Sequence, residues 1–277
     1  MGETTAGNGW GEVLDFPLTG RKEKPRTEGL TMVIDKGLGL SQTAELLEVA
    51  GRFIDFIKLG FGTSALYSHD LLARKIELVT CSGADILPGG TFLEIAWLQG
   101  KLKEFLQQAR EMGYTVIEVS DGTVTMPPQE RSRAIQMALD GGFKVLTEIG
   151  KKHPQDRVAT LKLQEQVWRD LEDGALKVIV EGRESGQGVV IYDDAGAIKV
   201  DELEALVRSL SDPRVLIWEA PRKSQQLELI VRFGANVNLG NIQPPDVLAL
   251  EALRRGLRSD TLRECLPRRA AGVAAGS

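Results

Sequence analysis

Charged and glycine-rich positions recur along this chain directly after short apolar runs. They are Asp35 and Lys36; Lys58, Gly60 and Gly62; Gly89, Gly90 and Thr91; Glu118, Ser120 and Asp121; Glu148, Lys151 and Lys152; Glu181, Arg183 and Glu184; Glu219 and Arg222; and Asn238, Gly240 and Asn241. Carboxylates mixed with lysine and arginine can hold a hard divalent cation beside an anionic substrate. The pattern therefore indicates a metal ion and an acidic small molecule, although solvated loop charges would give the same pattern.

Two glycine-rich loops are candidates for binding a phosphoryl group. They are EGRESGQG at 181–188 and NLGN at 238–241. Backbone N–H donors in such loops suit phosphate oxygens, and Arg183 would add a forked cation.

Missing motifs narrow the reaction. The chain has two histidines, His69 and His153, and no HExxH, GxSxG or Walker motif, which argues against hydrolysis by zinc or by a serine triad. A lysine is then the natural proton donor or Schiff-base former, provided that burial or neighbouring cations lower its pKa. The adjacent Lys151 and Lys152 could lower the pKa of one another, or both could be surface lysines in a loop.

Eight apolar runs must position these residues. They span 30–35, 53–60, 84–90, 114–122, 143–150, 176–182, 214–220 and 237–242, and their starts are about 30 residues apart, the size of a βα unit. Helix signals lie between them: Ser41 ahead of 43–52, and the amphipathic stretches 92–113, 127–142 and 244–256.

The even spacing predicts an α/β fold, a single (β/α)8 TIM barrel with eight parallel strands. We predict a loose lead-in at 1–29, the barrel at 30–261 and a tail at 262–277. A doubly wound sheet is the alternative, but Gly37 and Gly39 after the first strand lack the third glycine of its fingerprint. A barrel keeps its site at the carboxyl ends of the strands, and the amino ends show only scattered Lys and Asp.

Composition excludes several classes of protein. Lys and Arg number 34 against 39 Asp and Glu, and this net charge of −5 argues against a nucleic-acid partner. The apolar runs are far shorter than the roughly 20 residues of a membrane span, and the first residues lack signal-peptide architecture, so we expect a cytoplasmic protein without membrane contact. Cys81 and Cys265 form no CxxC and are expected to be ordinary thiols.

Several strings resemble the phosphosulfolactate synthase family. They are IDKGLGL, IDFIKLGFGTSALY, LPGGTFLE, IEVSDGT, VLTEIGKK, VIVEGRESGQG, WEAPRKSQQ, VNLGNI and LEALRRGLRSDT, in order from about residue 29 to 261. The resemblance implies a (β/α)8 barrel and a carbon–sulfur lyase that adds sulfite to phosphoenolpyruvate with Mg²⁺, giving (2R)-phospho-3-sulfolactate. In archaea this product feeds coenzyme M biosynthesis, whereas in a bacterium sulfolactate could be the end product.

The resemblance also implies a mechanism. Sulfite attacks the methylene carbon, negative charge builds on the substrate carboxylate, and carboxylate-bound Mg²⁺ stabilises that charge. A lysine of the EIGKK loop then protonates C2 from one face. We assign this role to Lys152, with Lys151 as the alternative.

The remaining roles follow from the same resemblance. Candidate metal carboxylates are Glu148, Glu181, Glu219 and Asp121; Lys58 and Arg183 are candidates for the sulfite and substrate anions; Ser185, Gly186, Gly240 and Asn241 are candidates for the phosphate. Asp35 and Lys36 either contact substrate or form an internal ion pair that orders the first loop. Related barrels suggest a homo-oligomer such as a trimer.

Two other functions stay open at this stage. The family also resembles plant heat-stress-associated proteins, which suggests a non-catalytic barrel that serves in protein interaction or protection from stress. The joint presence of EIGKK, EGRESG and KLGFGTS favours catalysis over that function. Another enol or aldol enzyme with a phosphate-bearing substrate would also suit the fold, because fold does not determine function.

Overall fold

Eight parallel strands alternate with helices along the chain. The computed structural model describes residues 9–10, 13–153, 156, 158–208 and 210–265. The strands are β1 (Thr31–Asp35), β2 (Phe56–Leu59), β3 (Asp85–Leu87), β4 (Val116–Val119), β5 (Lys144–Ile149), β6 (Lys177–Val180), β7 (Leu216–Glu219) and β8 (Leu239–Ile242). The helices are α1 (Leu40–Ala50), α2 (His69–Cys81), α3 (Gly90–Leu98), α4 (Leu102–Met112), α5 (Pro128–Asp140), α6 (Thr160–Glu172), α7 (Val200–Arg208), α8 (Lys223–Phe233), α9 (Val247–Arg254) and α10 (Ser259–Cys265).

The strands form one sheet that curls into a barrel. Their order is β3-β2-β1-β8-β7-β6-β5-β4, with parallel pairing between neighbours. The two ends of the sheet are bridged because the Thr115 N–H donates to the Ile86 carbonyl (3.3 Å) and the Ile86 N–H donates to Thr115 Oγ1 (3.0 Å). The predicted (β/α)8 barrel is therefore confirmed, with strands shorter than the apolar runs.

An apolar layer fills the lower interior of the barrel. It consists of Leu30, Met32, Phe56, Leu87, Val116, Leu146, Ile179 and Ile217, all buried. A second, larger cluster packs the outer faces of the strands against the helices. Because both faces of each strand are buried, the strands are continuous apolar runs in the sequence.

Two helix predictions were wrong in detail. The stretch 92–113 is two helices, α3 and α4, because Gly100 adopts a left-handed φ of 67° between them. Helix α1 begins with Gly39 as its cap, two residues before the expected Ser41. The barrel is unaffected, since α3 and α4 together follow β3.

The amino end of the barrel is more charged than expected, and the lead-in is not loose throughout. Arg26 forms a bidentate pair with Asp55, and the buried Arg21 pairs with Glu251 (3.1 Å). The fully buried Arg254 donates to the carbonyls of Ala235, Val237 and Leu30. These bonds fasten the segment before β1 to the barrel. The predicted tail at 262–277 begins inside α10, and 266–277 lie outside the described residues.

Asp55→Ala is expected to lower the free energy of unfolding by about 3–5 kcal/mol, because it leaves a buried guanidinium without its counter-charge. Asp55 Oδ2 accepts from Arg26 Nη2 (2.7 Å) and from the Thr31 N–H (2.8 Å), so the variant also loses a contact to β1. Urea unfolding measures the loss. Asp70→Ala, which removes an exposed carboxylate, is the control and should unfold as the wild type does; equal stability of the two variants would contradict the prediction.

No helix in the described part of the chain has the length and apolar character needed to cross a bilayer.

Candidate active site

A layer of ionisable side chains lies directly above the apolar layer inside the barrel. On five strands, the residue two positions after an apolar interior residue is charged, and strand alternation turns both toward the barrel axis. The five are Lys58 of β2, Glu118 of β4, Glu148 of β5, Glu181 just after β6 and Glu219 of β7, and all are buried. We call these five, together with Lys152 from the β5–α6 loop, the charged layer.

Two ammonium groups bridge the four carboxylates of the charged layer. Lys58 Nζ lies 2.9 Å from Glu118 Oε1, 3.1 Å from Glu148 Oε2 and 3.2 Å from Glu219 Oε1. Lys152 Nζ lies 2.6 Å from Glu148 Oε1 and 2.7 Å from Glu181 Oε2. Glu148 thus contacts both lysines and occupies the centre of the network.

Backbone donors orient the other three carboxylates. The Gly90 N–H donates to Glu118 Oε1 (2.9 Å), and the Gly182 N–H donates to Glu219 Oε2 (3.0 Å). The Arg183 N–H donates to Glu181 Oε1 (2.6 Å). Gly90 begins α3, and Gly182 and Arg183 lie in the β6–α7 loop, so residues beyond the carboxyl ends of the strands orient these carboxylates.

Both lysines of the charged layer hold their protons tightly. Burial by itself lowers the pKa of Lys58, but the charges of Glu118, Glu148 and Glu219 outweigh burial and raise that pKa well above its ordinary value. Burial likewise lowers the pKa of Lys152, but the charges of Glu148 and Glu181 outweigh burial and raise that pKa above its ordinary value. The expectation that Lys151 would lower the pKa of Lys152 was therefore wrong, because carboxylates surround the ammonium group.

The carboxyl pKa values are spread apart. Burial raises the pKa of Glu118 to about 7 against the opposing charge of Lys58. Burial, with Glu148 and Glu219, raises the pKa of Glu181 to about 8, and burial also raises the pKa of Glu219. For Glu148, burial is outweighed by Lys152 and Lys58, which hold its pKa well below the ordinary value. Four carboxylates with two ammonium groups carry a net charge of −2 when all are ionised, and the layer therefore favours additional positive charge.

In metal-free protein, the free energy of unfolding is expected to fall as pH rises from about 4.5 to about 8. Glu118 and Glu181 have raised pKa values in the folded state, so the stability that they contribute is fully present below pH 4.5. It is lost as the pH rises through about 7 for Glu118 and about 8 for Glu181. Glu148 affects the free energy of unfolding in the opposite direction. Its lowered pKa adds stability above pH 4.5, and this stability is lost only at lower pH.

Urea unfolding at pH 5 to 8.5 in the presence of a chelator measures this decline. Glu181→Gln should make the decline shallower, since its amide does not titrate. A free energy of unfolding that rises steadily over this range would contradict the assignment.

Three carboxylates of the charged layer are placed to bind a metal ion. One oxygen each of Glu148, Glu181 and Glu219 lies within 4.8 Å of the other two. Carboxylate oxygens are the ligands that Mg²⁺ takes, and the surplus of negative charge matches a divalent cation. The residues present therefore fit Mg²⁺.

Asp121, the fourth predicted ligand, is not part of this group. It lies in the loop after β4 and pairs with Arg131 (3.1 Å) and Lys151 (2.9 Å). The sequence run 114–122 suggested that the strand continued to Asp121, whereas β4 ends at Val119. Glu118, which was noted at the strand end but not selected, is the β4 residue of the charged layer.

The adjacent lysines of the β5–α6 loop point to different places. Lys151 Nζ donates to Asp121 Oδ2 and to the carbonyls of Asp121 and Val124, so it fastens the β4–α5 loop. Lys152 Nζ reaches the carboxylates inside the barrel. Of the two, only Lys152 lines the cavity above the charged layer.

This cavity opens at the carboxyl ends of the strands and has a volume of about 500 Å³. Apart from the charged layer, the side chains of Ile34, Phe61, Ile95, Arg183, Ser185 and Asn241 are among those that line it. Among the described residues, no carboxylate pairs with the Arg183 side chain. The cavity therefore combines an apolar wall, the Arg183 cation and the carboxylates of the charged layer.

Three residues that line the cavity have left-handed backbone. Phe61 and Arg183 have φ of 58°, and Asn241 has φ of 55°; only one other non-glycine residue in the described part of the chain has positive φ. Such conformations cost about 1–3 kcal/mol each and concentrate at ligand sites. Asn241 is also buried, and its Oδ1 atom has no hydrogen-bond partner among the described residues. Both features point to ligand binding here.

Two of the predicted phosphate contacts do not face the cavity. A Cβ on Gly240 would lie 2.7 Å from Met32 Cε, so this glycine packs against the barrel interior. Gly186 is buried against Gln225, whose Nε2 donates to its carbonyl (2.8 Å). Close packing accounts for both glycines, and their contact with a phosphate stays a prediction.

Asp35 and Lys36 do not pair with each other. Asp35 pairs with the buried Lys75 (2.5 Å) and accepts from the N–H groups of Gly37 and Leu38 (both 2.8 Å). Asp35 therefore orders the first loop, which was one of its two expected roles. Its ion-pair partner, however, is Lys75 of α2 and not Lys36. Lys36 instead pairs with Glu184 (2.7 Å) across to the β6–α7 loop.

A family model described as (2R)-phospho-3-sulfolactate synthase (ComA) matches residues 19–260. A phosphosulfolactate synthase of Methanothermobacter thermautotrophicus is 45% identical over 252 residues, which are 90% of this chain and 97% of the relative. A phosphosulfolactate synthase of Bacillus subtilis is 38% identical over 250 residues, again 90% and 97% of the two chains. The protein HEAT-STRESS-ASSOCIATED 32 of Arabidopsis thaliana is 22% identical over 84% of this chain and 88% of its own length.

Proposed function

The chain belongs to the (2R)-phospho-3-sulfolactate synthase family, and from this premise we propose how its charged layer performs the reaction. The protein is an enzyme of the carbon–sulfur lyase class that adds sulfite to phosphoenolpyruvate, giving (2R)-phospho-3-sulfolactate. A sulfur lone pair forms the bond to the methylene carbon, the double-bond electrons move toward C2 and the carboxylate, and a proton is added at C2.

We propose that Glu148, Glu181 and Glu219 hold Mg²⁺. The bound ion would supply positive charge that stabilises the negative charge developing on the substrate carboxylate. Lys58 contacts Glu118, Glu148 and Glu219, and its positive charge reduces the repulsion between these carboxylates. In this proposal Lys58 anchors the carboxylates, and its contact with the sulfite or substrate anions stays a prediction, because Lys58 also lines the cavity.

We propose Lys152 as the proton donor. Nζ is protonated at neutral pH, which is the form that a general acid requires, and ligand binding that neutralises Glu148 and Glu181 would lower its raised pKa and make the proton easier to transfer. Glu148 and Glu181 fix Nζ at one side of the cavity, so the proton would reach C2 from one face and produce a single configuration.

The other cavity residues bind and shield the substrates in this proposal. The Arg183 guanidinium and the Asn241 amide would hold anionic oxygens, with Ser185 at the same edge. Ile34, Phe61 and Ile95 would exclude water from the methylene carbon. A cytoplasmic location and a homo-oligomer such as a trimer complete the proposal.

One observation carries the catalytic proposal: four buried carboxylates and two ammonium groups form a single layer at the carboxyl end of the barrel. Burying so many charges costs several kcal/mol per ion before pairing, and a barrel kept only for protein interaction gains nothing from that cost. The layer therefore favours catalysis over the stress-associated function.

The test is a direct assay. Purified protein is incubated with phosphoenolpyruvate, sulfite and Mg²⁺, and phosphosulfolactate is detected by mass spectrometry and NMR. Reactions without sulfite, or with excess chelator, are the controls and should yield no product. Absence of product in the complete mixture would refute the function, and turnover unaffected by the chelator would refute the Mg²⁺ role.

A further inference from the structure

A buried carboxylate outside the charged layer binds the loop that borders Lys152. Glu94 lies on α3 and is 1% exposed. Its Oε1 accepts from Ser120 Oγ (2.5 Å) and the Gly122 N–H (3.1 Å), and its Oε2 accepts from the N–H groups of Thr123 and Val124 (both 2.9 Å). One carboxylate therefore receives four hydrogen bonds from the β4–α5 loop.

The loop that Glu94 holds forms a wall against the Lys152 side chain. The Gly122 carbonyl accepts from the Lys152 N–H (2.9 Å). A Cβ on Gly122 would lie 3.2 Å from both Cγ and Nζ of Lys152 and 3.5 Å from Glu148 Oε1. The space beside Gly122 is thus closed by the Lys152 side chain, and a displaced loop would change where Nζ lies.

The outer side of the same loop is held separately. Asp121 points away from Glu94 to its partners Arg131 and Lys151. No cation pairs with Glu94 in the described part of the chain, so its charge is balanced by the loop N–H groups. Hydrogen bonds to a charged acceptor are stronger than neutral ones, and three of these donors are backbone groups of consecutive residues. The contact therefore sets the backbone of 122–124 more tightly than a neutral side chain would.

We propose that Glu94 is a positioning residue for the proton transfer, acting through the β4–α5 loop on Lys152. The proposal rests on the proposed role of Lys152 as donor. Glu94 does not touch the cavity; it fixes the wall that keeps Nζ between Glu148 and Glu181. A misplacement on the order of 1 Å can cost about 100-fold in rate.

Glu94→Gln is the first test, since the amide is isosteric but its NH₂ group cannot accept from two of the four donors. We expect kcat to fall about 10- to 100-fold, with KM for phosphoenolpyruvate and sulfite changed less than about threefold. Glu251→Gln, which changes a buried carboxylate at the amino end of the barrel, is the matched control and should retain kcat even if its Tm falls.

A double-mutant cycle with Lys152→Ala separates positioning from simple destabilisation. If Glu94 acts through Lys152, adding Glu94→Gln to Lys152→Ala should lower the residual kcat by less than about threefold. Should Glu94→Gln fail to fold, Ser120→Ala removes one of the four hydrogen bonds, and we expect a two- to tenfold fall in kcat that likewise vanishes in the Lys152→Ala background.

The outcomes are distinguishable. Unchanged kcat in Glu94→Gln, or a full multiplicative loss in the double variant, would overturn the positioning role and leave the catalytic proposal standing. Wild-type kcat in Lys152→Ala would instead overturn the donor role on which the inference rests.

Discussion

Lys152→Ala is expected to lower kcat for phosphosulfolactate formation by about 10³-fold, within the 10²–10⁴ range that a general acid contributes. Lys152 lies in the β5–α6 loop and its ammonium group lines the cavity. Contacts with Glu148 and Glu181 keep this group protonated. Among the described residues of that loop, no other ammonium group lines the cavity. Steady-state kcat and the yield of product measure the effect.

Lys152→Arg separates charge from proton donation. The guanidinium keeps the positive charge between Glu148 and Glu181, but a guanidinium is not deprotonated in proteins, whereas the pKa of an ammonium group shifts readily with the charges around it. We therefore expect a loss of activity close to that of alanine, with better retention of stability. Activity close to wild type would show that the site needs only the charge at this position.

Lys151→Ala is the adjacent control. Lys151 fastens the β4–α5 loop through Asp121 and Val124 and does not line the cavity, so kcat should fall by no more than about tenfold. If Lys151→Ala were as damaging as Lys152→Ala, the assignment of the donor between the two lysines would be wrong.

Glu148→Gln is expected to give the second large effect, a fall of 10²-fold or more in both kcat and affinity for Mg²⁺. Glu148 belongs to the proposed metal-binding group and contacts both ammonium groups, so the neutral amide weakens one ligand and leaves Lys58 and Lys152 short of counter-charge. Glu181→Gln and Glu219→Gln should weaken Mg²⁺ binding without disturbing both lysines. Removing a group that only hydrogen-bonds to a metal ligand lowers metal affinity about 10- to 100-fold, and we expect a change in a direct ligand to lower it at least as much.

Calorimetric titration with Mg²⁺ gives a readout that does not depend on turnover. Asp121→Asn is the matched control, because Asp121 is an acidic residue of the β4–α5 loop that pairs with Arg131 and Lys151 outside the group. Its Mg²⁺ affinity should equal that of the wild type. Weakened binding in Asp121→Asn, together with unchanged binding in Glu148→Gln, would place the metal elsewhere.

Much of the barrel could be predicted from the sequence. Eight apolar runs at even spacing follow from strands that are buried on both faces, and polar residues after each run follow from a site at the carboxyl ends. Local pattern is enough here because each βα unit repeats the same physical requirement. Glu148, Glu181 and Glu219 were found this way.

Only the tertiary structure decided which of these charges meet. Side chains alternate between the two sides of a strand, so an error of a few residues in the end of β4 selects Asp121 in place of Glu118. Lys151 and Lys152 are neighbours in sequence, yet the turn after β5 sends one to Asp121 and the other to Glu148.

Partners distant in sequence were beyond local reasoning for the same reason. Asp35 meets Lys75 of α2 rather than the adjacent Lys36, and Glu94 meets a loop 26 or more residues away. The sequence by itself determined the barrel, its family and the residue types at its mouth, because these depend on period and composition. Closure of the sheet decided the charged layer, since only closure places side chains from β2, β4, β5, β6 and β7 within hydrogen-bond distance of one another.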